Sequence, residues 1–163
     1  MRETAVMSAE RQIVVFSLGS EYFGVDIAGV REIVRFEGCR NLPGAPAFIR
    51  GIINLRGELV TLVDLATRFS MAPSSIADDQ RKVVIVQQGA RQIGIVVDGV
   101  SEILRVAEEE IRPVEELAFM ESSVDENQIV GVAKVDERLV VLLDLARVLS
   151  EKERQRLEDS IPE

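Results

Sequence analysis

The 163-residue chain contains no histidine. Ser-His-Asp and Cys-His catalysis, imidazole ligation of metals and a phosphohistidine relay within the chain are thereby excluded. There is one cysteine, Cys39, so no internal disulfide can form, and a lone thiol fits a reducing compartment. Lys and Arg number 19 against 28 Asp and Glu, a net charge of −9, which leaves no broad basic face for nucleic acid. No apolar run approaches the roughly 20 residues that a membrane helix needs. Met1 to Gln12 carries Arg2, Glu3, Glu10 and Arg11 and lacks the apolar centre of a signal peptide. Gly44 to Gly51 lacks the Gly-Lys-Ser/Thr ending of a phosphate-cradling loop. The expectation is a cytoplasmic protein with no cofactor, no metal and no direct membrane insertion.

What the chain does have is apolar residues, 47% of the total, enough for one domain or two small subdomains sharing a core. They are concentrated in Gly51 to Leu65, Gly-Ile-Ile-Asn-Leu-Arg-Gly-Glu-Leu-Val-Thr-Leu-Val-Asp-Leu. Ile52, Ile53 and Leu55 form one arm of a β-hairpin and Leu59 to Val63 the other. Arg56-Gly57-Glu58 sits at the tip, where Gly57 supplies the positive φ of a hairpin turn. The second arm is almost wholly apolar, which predicts a strand packed on both faces. Asp64 ends it and can cap a short helix, Leu65 to Phe69.

This stretch recurs. Gly131 to Ser150 repeats Gly51 to Ser70 and keeps Gly131, Leu139, Val140, Leu142, Asp144 and Leu145. Upstream, Ile13 to Arg35 aligns without a gap on Val83 to Arg105, with identities that include Val14/Val84, Gly24/Gly94, Glu32/Glu102, Ile33/Ile103 and Arg35/Arg105. The chain is an internal duplication. Positions kept in both copies read as folding positions, and exposed positions that differ read as candidates for an asymmetric function. By that test Arg56-Gly57, replaced by Asp136-Glu137, stands out, although an arginine at a hairpin tip can also be plainly solvated. Val30, Leu55 and Leu59 read equally as core.

In chain order, residues 1–11 read as a tail. Gln12 to Leu18 and Tyr22 to Ile27 read as strands, a bend at Gly29 leads to a strand at Ile33 to Phe36, and Ala47-Phe48-Ile49 suits one helical turn. Arg81 to Gln87, Ile93 to Val97 and Ser101 to Ala107 repeat the first three strands. Residues 151–163 read as a charged C-terminal helix. Five short strands per copy, with no long helix between them, argue two small barrels related by a pseudo-twofold, with repeats at about 13–70 and 83–150 inside one unit, 12–150. Asp26, Asp64, Asp98 and Asp144 are the available carboxylates, but nothing in the pattern assembles them for acid–base work, so no enzyme is expected. Cys39 has no histidine to activate it.

Taken together, Gly24-Val-Asp-Ile27, Val30-Arg-Glu-Ile33, Pro46-Ala-Phe-Ile-Arg-Gly-Ile-Ile-Asn-Leu-Arg-Gly57 and Leu62-Val-Asp-Leu65, with Gly94-Ile-Val-Val-Asp-Gly-Val100 and Glu110-Ile-Arg-Pro113, resemble the CheW family of bacterial chemotaxis coupling proteins. The resemblance covers Gln12 to Ser150. It implies a mainly β fold of two five-stranded, SH3-like barrels with short helices. It implies a cytoplasmic adaptor, recruited to membrane-associated arrays, that joins the regulatory domain of the histidine kinase CheA to the cytoplasmic tip of methyl-accepting chemoreceptors, with other CheW copies as neighbours. The implied partner-binding residues are Val30, Glu32, Asn54, Leu55, Arg56, Gly57 and Leu59. Leu117 and Phe119, in an acidic connector absent from the first copy, either tuck under the barrel or contact an array neighbour. A non-motility chemosensory adaptor and a small-molecule-binding regulatory barrel are the rival functions.

Overall fold

The computed structural model describes residues 10–69, 71, 75–113 and 129–144. Leu117, Phe119 and the charged C-terminal segment lie outside the described residues. The elements run β1 (Glu10–Leu18), β2 (Glu21–Asp26), a 3-10 turn (Ile27–Gly29), β3 (Val30–Arg35), β4 (Ile49–Leu55), β5 (Glu58–Asp64) and a one-turn helix (Leu65–Arg68). After a second 3-10 turn (Asp78–Gln80) come β6 (Lys82–Gln88), β7 (Arg91–Val97), β8 (Gly99–Ala107), β9 (Ile111–Arg112), β10 (Ile129–Val135) and β11 (Arg138–Leu143). The fold is mainly β, as expected. β1 takes in Glu10 and Arg11 from the supposed tail, and β3 starts directly after Gly29 rather than at Ile33. At Pro46 the chain makes a hydrogen-bonded turn, Ile49 N–H donating to the Pro46 carbonyl at 3.0 Å, and β4 begins there.

The strands form two sheets, ordered β8-β1-β2-β11-β10-β9 and β3-β6-β7-β5-β4. The five strands of a repeat do not close on themselves: each sheet draws strands from both repeats, so the two barrels interlock. The second sheet is one continuous stretch, β3 through β7, built from the end of the first repeat and the start of the second. The first sheet flanks it, with β1 and β2 before and β8 to β11 after. The exchange is sealed by two equivalent parallel pairings, β11 on β2 and β5 on β7. Its physical basis is strands that are apolar on both faces. In β6, Val83 and Ile85 point into one barrel, while Val84 and Val86 point into a layer between the two sheets. β5 behaves alike, with Val60 and Leu62 inward and Val63 outward, all fully buried.

That intervening layer is the largest of three apolar clusters and draws on both sheets. Phe16 and Phe23 of the first sheet stack at 6.1 Å, and Phe23 meets Phe69, behind the helix of the second, at 5.9 Å. Fully burying such a side chain contributes about 1.5–3 kcal/mol, so the layer holds the two barrels as one body.

The kept glycines Gly51 and Gly131 have an equivalent cause. A Cβ on Gly51 would lie 2.3 Å from the Arg40 carbonyl oxygen, and one on Gly131 would lie 2.6 Å from that of Arg112. Arg40 bridges to Ile52, just as Arg112 pairs with Val132, so each barrel takes a short extra strand segment against the same edge.

Candidate functional site

Asn54 shapes the β4–β5 hairpin tip: its Oδ1 accepts the Gly57 N–H at 2.8 Å. Arg56 at φ 53° and Gly57 at φ 89° are the two left-handed residues of the turn. The sequence reading placed only Gly57 in that conformation. An arginine held there is uncommon, and such residues gather at functional positions. The turn lifts the Arg56 guanidinium clear of the barrel, where its side chain is 68% exposed and pairs with Glu32 of β3. The Glu32 hydrogen bond pushes the guanidinium above the usual arginine range, so it stays a fixed cation. An exposed pair of this kind adds little stability; its effect is to aim the charge.

Beside the pair lies a groove of about 730 Å³ lined by Val34, Phe36, Cys39, Ile53, Leu55 and Leu59, among others. Leu59 is an exposed large apolar residue, as is Ile33 of β3, which does not join the groove lining. The structure therefore brings Glu32, Asn54, Leu55, Arg56, Gly57 and Leu59 to one end of the continuous barrel. Val30 does not join the groove lining; it packs against the layer between the sheets.

Sequence reasoning missed Ile33. It is identical to Ile103 in the second copy, and identity was read as a folding requirement. Both isoleucines are exposed, as are the equivalent Leu59 and Leu139. Repetition here marks apolar positions exposed in both copies, and the signal was present in the alignment itself.

Three of the four candidate carboxylates hold backbone. Asp64 Oδ1 accepts the Thr67 N–H and caps the helix, Asp26 Oδ1 accepts Ala28 N–H, and Asp98 Oδ2 accepts Gly19 N–H. Cys39 donates its thiol to the Arg50 carbonyl, and burial pushes its pKa up, partly offset by the Arg50 charge. That is the opposite of nucleophile activation. No group of three metal-ligating side chains occurs among the described residues, and none of their helices is long and apolar enough to cross a membrane.

A fixed cation at an apolar rim, on a rigid two-barrel frame, defines a protein-binding module. The chain belongs to the CheW-like domain family, whose model matches residues 12–153. It is 37% identical over 144 residues to a chemotaxis protein CheW of Klebsiella aerogenes, covering 88% of this chain and 84% of that one. With a Treponema pallidum chemotaxis protein CheW the identity is 30% over 156 residues, covering 94% and 90%. The crystal structure of scaffolding protein TtCheW from Thermoanaerobacter tengcongensis superposes with a TM-score of 0.77 at 30% identity, covering 89% of this chain and 91% of that chain.

Proposed function

We propose that this chain is a chemotaxis scaffold that couples methyl-accepting chemoreceptors to the histidine kinase CheA in signalling arrays. Relatives named for chemotaxis and a structural neighbour named as a scaffolding protein support the adaptor role. The observation that carries the choice of surface is the Arg56–Glu32 pair, held at a left-handed turn beside exposed Leu59. This end takes the helical cytoplasmic tip of a receptor. The regulatory domain of the kinase docks through the exposed end of a barrel, like pairing with like. Leu117 and Phe119 serve contacts to array neighbours, other copies of this chain included. The protein works in the cytoplasm and is recruited to membrane arrays by these partners, without catalysis of its own. Holding both partners raises their effective concentration, and a rigid body between them lets a receptor movement bias the kinase.

The test is a pair of pull-downs, with a receptor cytoplasmic-tip fragment and with the kinase's regulatory domain. Capture of both, singly and together, is the expected result. Capture of neither by a folded chain would refute the scaffold reading.

A further inference from the structure

The molecule shows the same apolar frame at two places and different charge upon it. Ile33 and Ile103 are equivalent in the repeats and 40% and 55% exposed; Leu59 and Leu139 are equivalent and each 50% exposed. Glu32 and Glu102 are equivalent too, and each pairs with an arginine. The arginines are not equivalent. By repeat position Arg56 corresponds to Asp136, Gly57 to Glu137 and Glu58 to Arg138.

At the first end the turn cation stands outward and the next charge lies down: Glu58 accepts a hydrogen bond from Gln92 at 2.7 Å. At the second end Arg138 lies down. Its guanidinium sits 4.9 Å from the ring centroid of Tyr22, the repeat equivalent of Gln92, and its side chain is 27% exposed against 68% for Arg56. Asp136 and Glu137 are left exposed at the turn. Each end thus holds one Arg–Glu pair, but the turn itself carries an exposed arginine at the first and two exposed carboxylates at the second. An apolar frame alone cannot tell one partner from another that fits the same shape, whereas facing like charges reject it.

We propose that the inverted tip, Asp136-Glu137-Arg138, is a specificity element: its outward carboxylates keep the receptor surface taken by Arg56 from docking on the second end. The proposal rests on the reading of the first end as the receptor-binding surface. Tyr22 belongs to the same device, because its ring draws Arg138 down and so leaves the turn to the two acids. The discrimination is built from repulsion at the wrong end as much as from attraction at the right one.

Titration calorimetry with a receptor cytoplasmic-tip fragment tests it on the full chain. The parent is expected to bind one fragment per chain. The graft Asp136→Arg/Glu137→Gly/Arg138→Glu gives the second tip the sequence of the first, and its stoichiometry is expected to rise to two. Combined with Arg56→Asp, the graft is expected to return to one. The milder Asp136→Asn/Glu137→Gln removes only the repulsion and carries the test if the graft melts early; a second, weaker binding event is its expected result. A parent and a folded graft that both bind a single fragment would overturn the proposal and leave the receptor reading standing. A parent that binds no fragment would overturn the receptor reading, and the proposal with it.

Discussion

The carboxylate of Asp98 holds the Arg81 guanidinium at 2.9 Å, with both side chains largely buried, 10% and 14% exposed. Its other oxygen takes the Gly19 N–H at 2.6 Å, and its own N–H donates to the Ser17 carbonyl. Asp98 stands where the chain passes from the continuous barrel back to the flanking one, so a single residue ties the β1–β2 turn of one to the entry of β6 in the other. The equivalent arginine, Arg11, makes an exposed pair with Glu108.

Asp98→Ala leaves Arg81 buried without that partner. Arg81 keeps Asp78 at 3.1 Å and the Ile76 carbonyl, so the loss falls below the about 3–5 kcal/mol of a wholly orphaned buried charge, yet exceeds the about 0–1 kcal/mol expected of Arg11→Ala at an exposed pair. Thermal melts of the two variants should therefore separate by several degrees, Asp98→Ala the lower. Equal melting temperatures would mean the crossover pair is structurally idle.

Gly51→Ala drives a methyl to 2.3 Å from a backbone oxygen at a φ of 152°, and that oxygen cannot step aside without moving the Arg40–Ile52 bridge. A loss above about 2 kcal/mol is expected, in the range of backbone-strain substitutions. Gly57→Ala, where a Cβ meets open space, should lose less and only through its left-handed φ. Urea midpoints of the two variants rank them directly.

Arg56→Asn should leave stability unchanged or slightly raised, because asparagine tolerates the left-handed conformation better than arginine. Arg56→Asp should fold equally well, since Asp136 already occupies the equivalent turn at φ 55°. Receptor-fragment affinity should fall at least about tenfold for Arg56→Asp, about 1.4 kcal/mol, with a smaller change toward the kinase domain. Melts and binding isotherms measured side by side separate the two effects; a lost fold would show that the arginine is structural.

Cys39 should alkylate more slowly than a free thiol at neutral pH. Burial raises its pKa, so the reactive thiolate fraction lies below that of an unperturbed cysteine until the pH passes the raised value. Iodoacetamide rates against pH, beside a small-molecule thiol, check the sign: the midpoint for Cys39 should lie higher.

The hairpins were legible because their register is local. Alternating residues and the tip at Arg56-Gly57 fix β4 on β5, and the repeat at Asp136-Glu137 fixes β10 on β11. The doubly buried face of β5 was legible from its unbroken apolar run. The exchange of strands between barrels was not, since Val84 and Val86 say that a second apolar face exists and nothing about which sheet covers it. At the candidate site, Arg56 stood out in the sequence because the copies differ there. The exposure of Ile33 was hidden because they agree, and Val30 stayed open because a half-apolar strand fits a groove and a core alike.

The nesting of one barrel within the other also orders the birth of the molecule. Once residue 97 has left the ribosome, every strand of the continuous barrel is present and can close. β1 and β2 have by then been waiting since residue 26, with Ile13 and Val15 still lacking Val106, Ala133, Val140 and Leu142, their cluster partners in the finished protein. Their neighbours β8 and β11 arrive only with residues 99–143. Long-range pairing of this kind is slow to form and leaves sheet edges open meanwhile. The β1–β2 hairpin is thus made well ahead of the strands that secure it, which makes it dependent on protection while the chain is still growing.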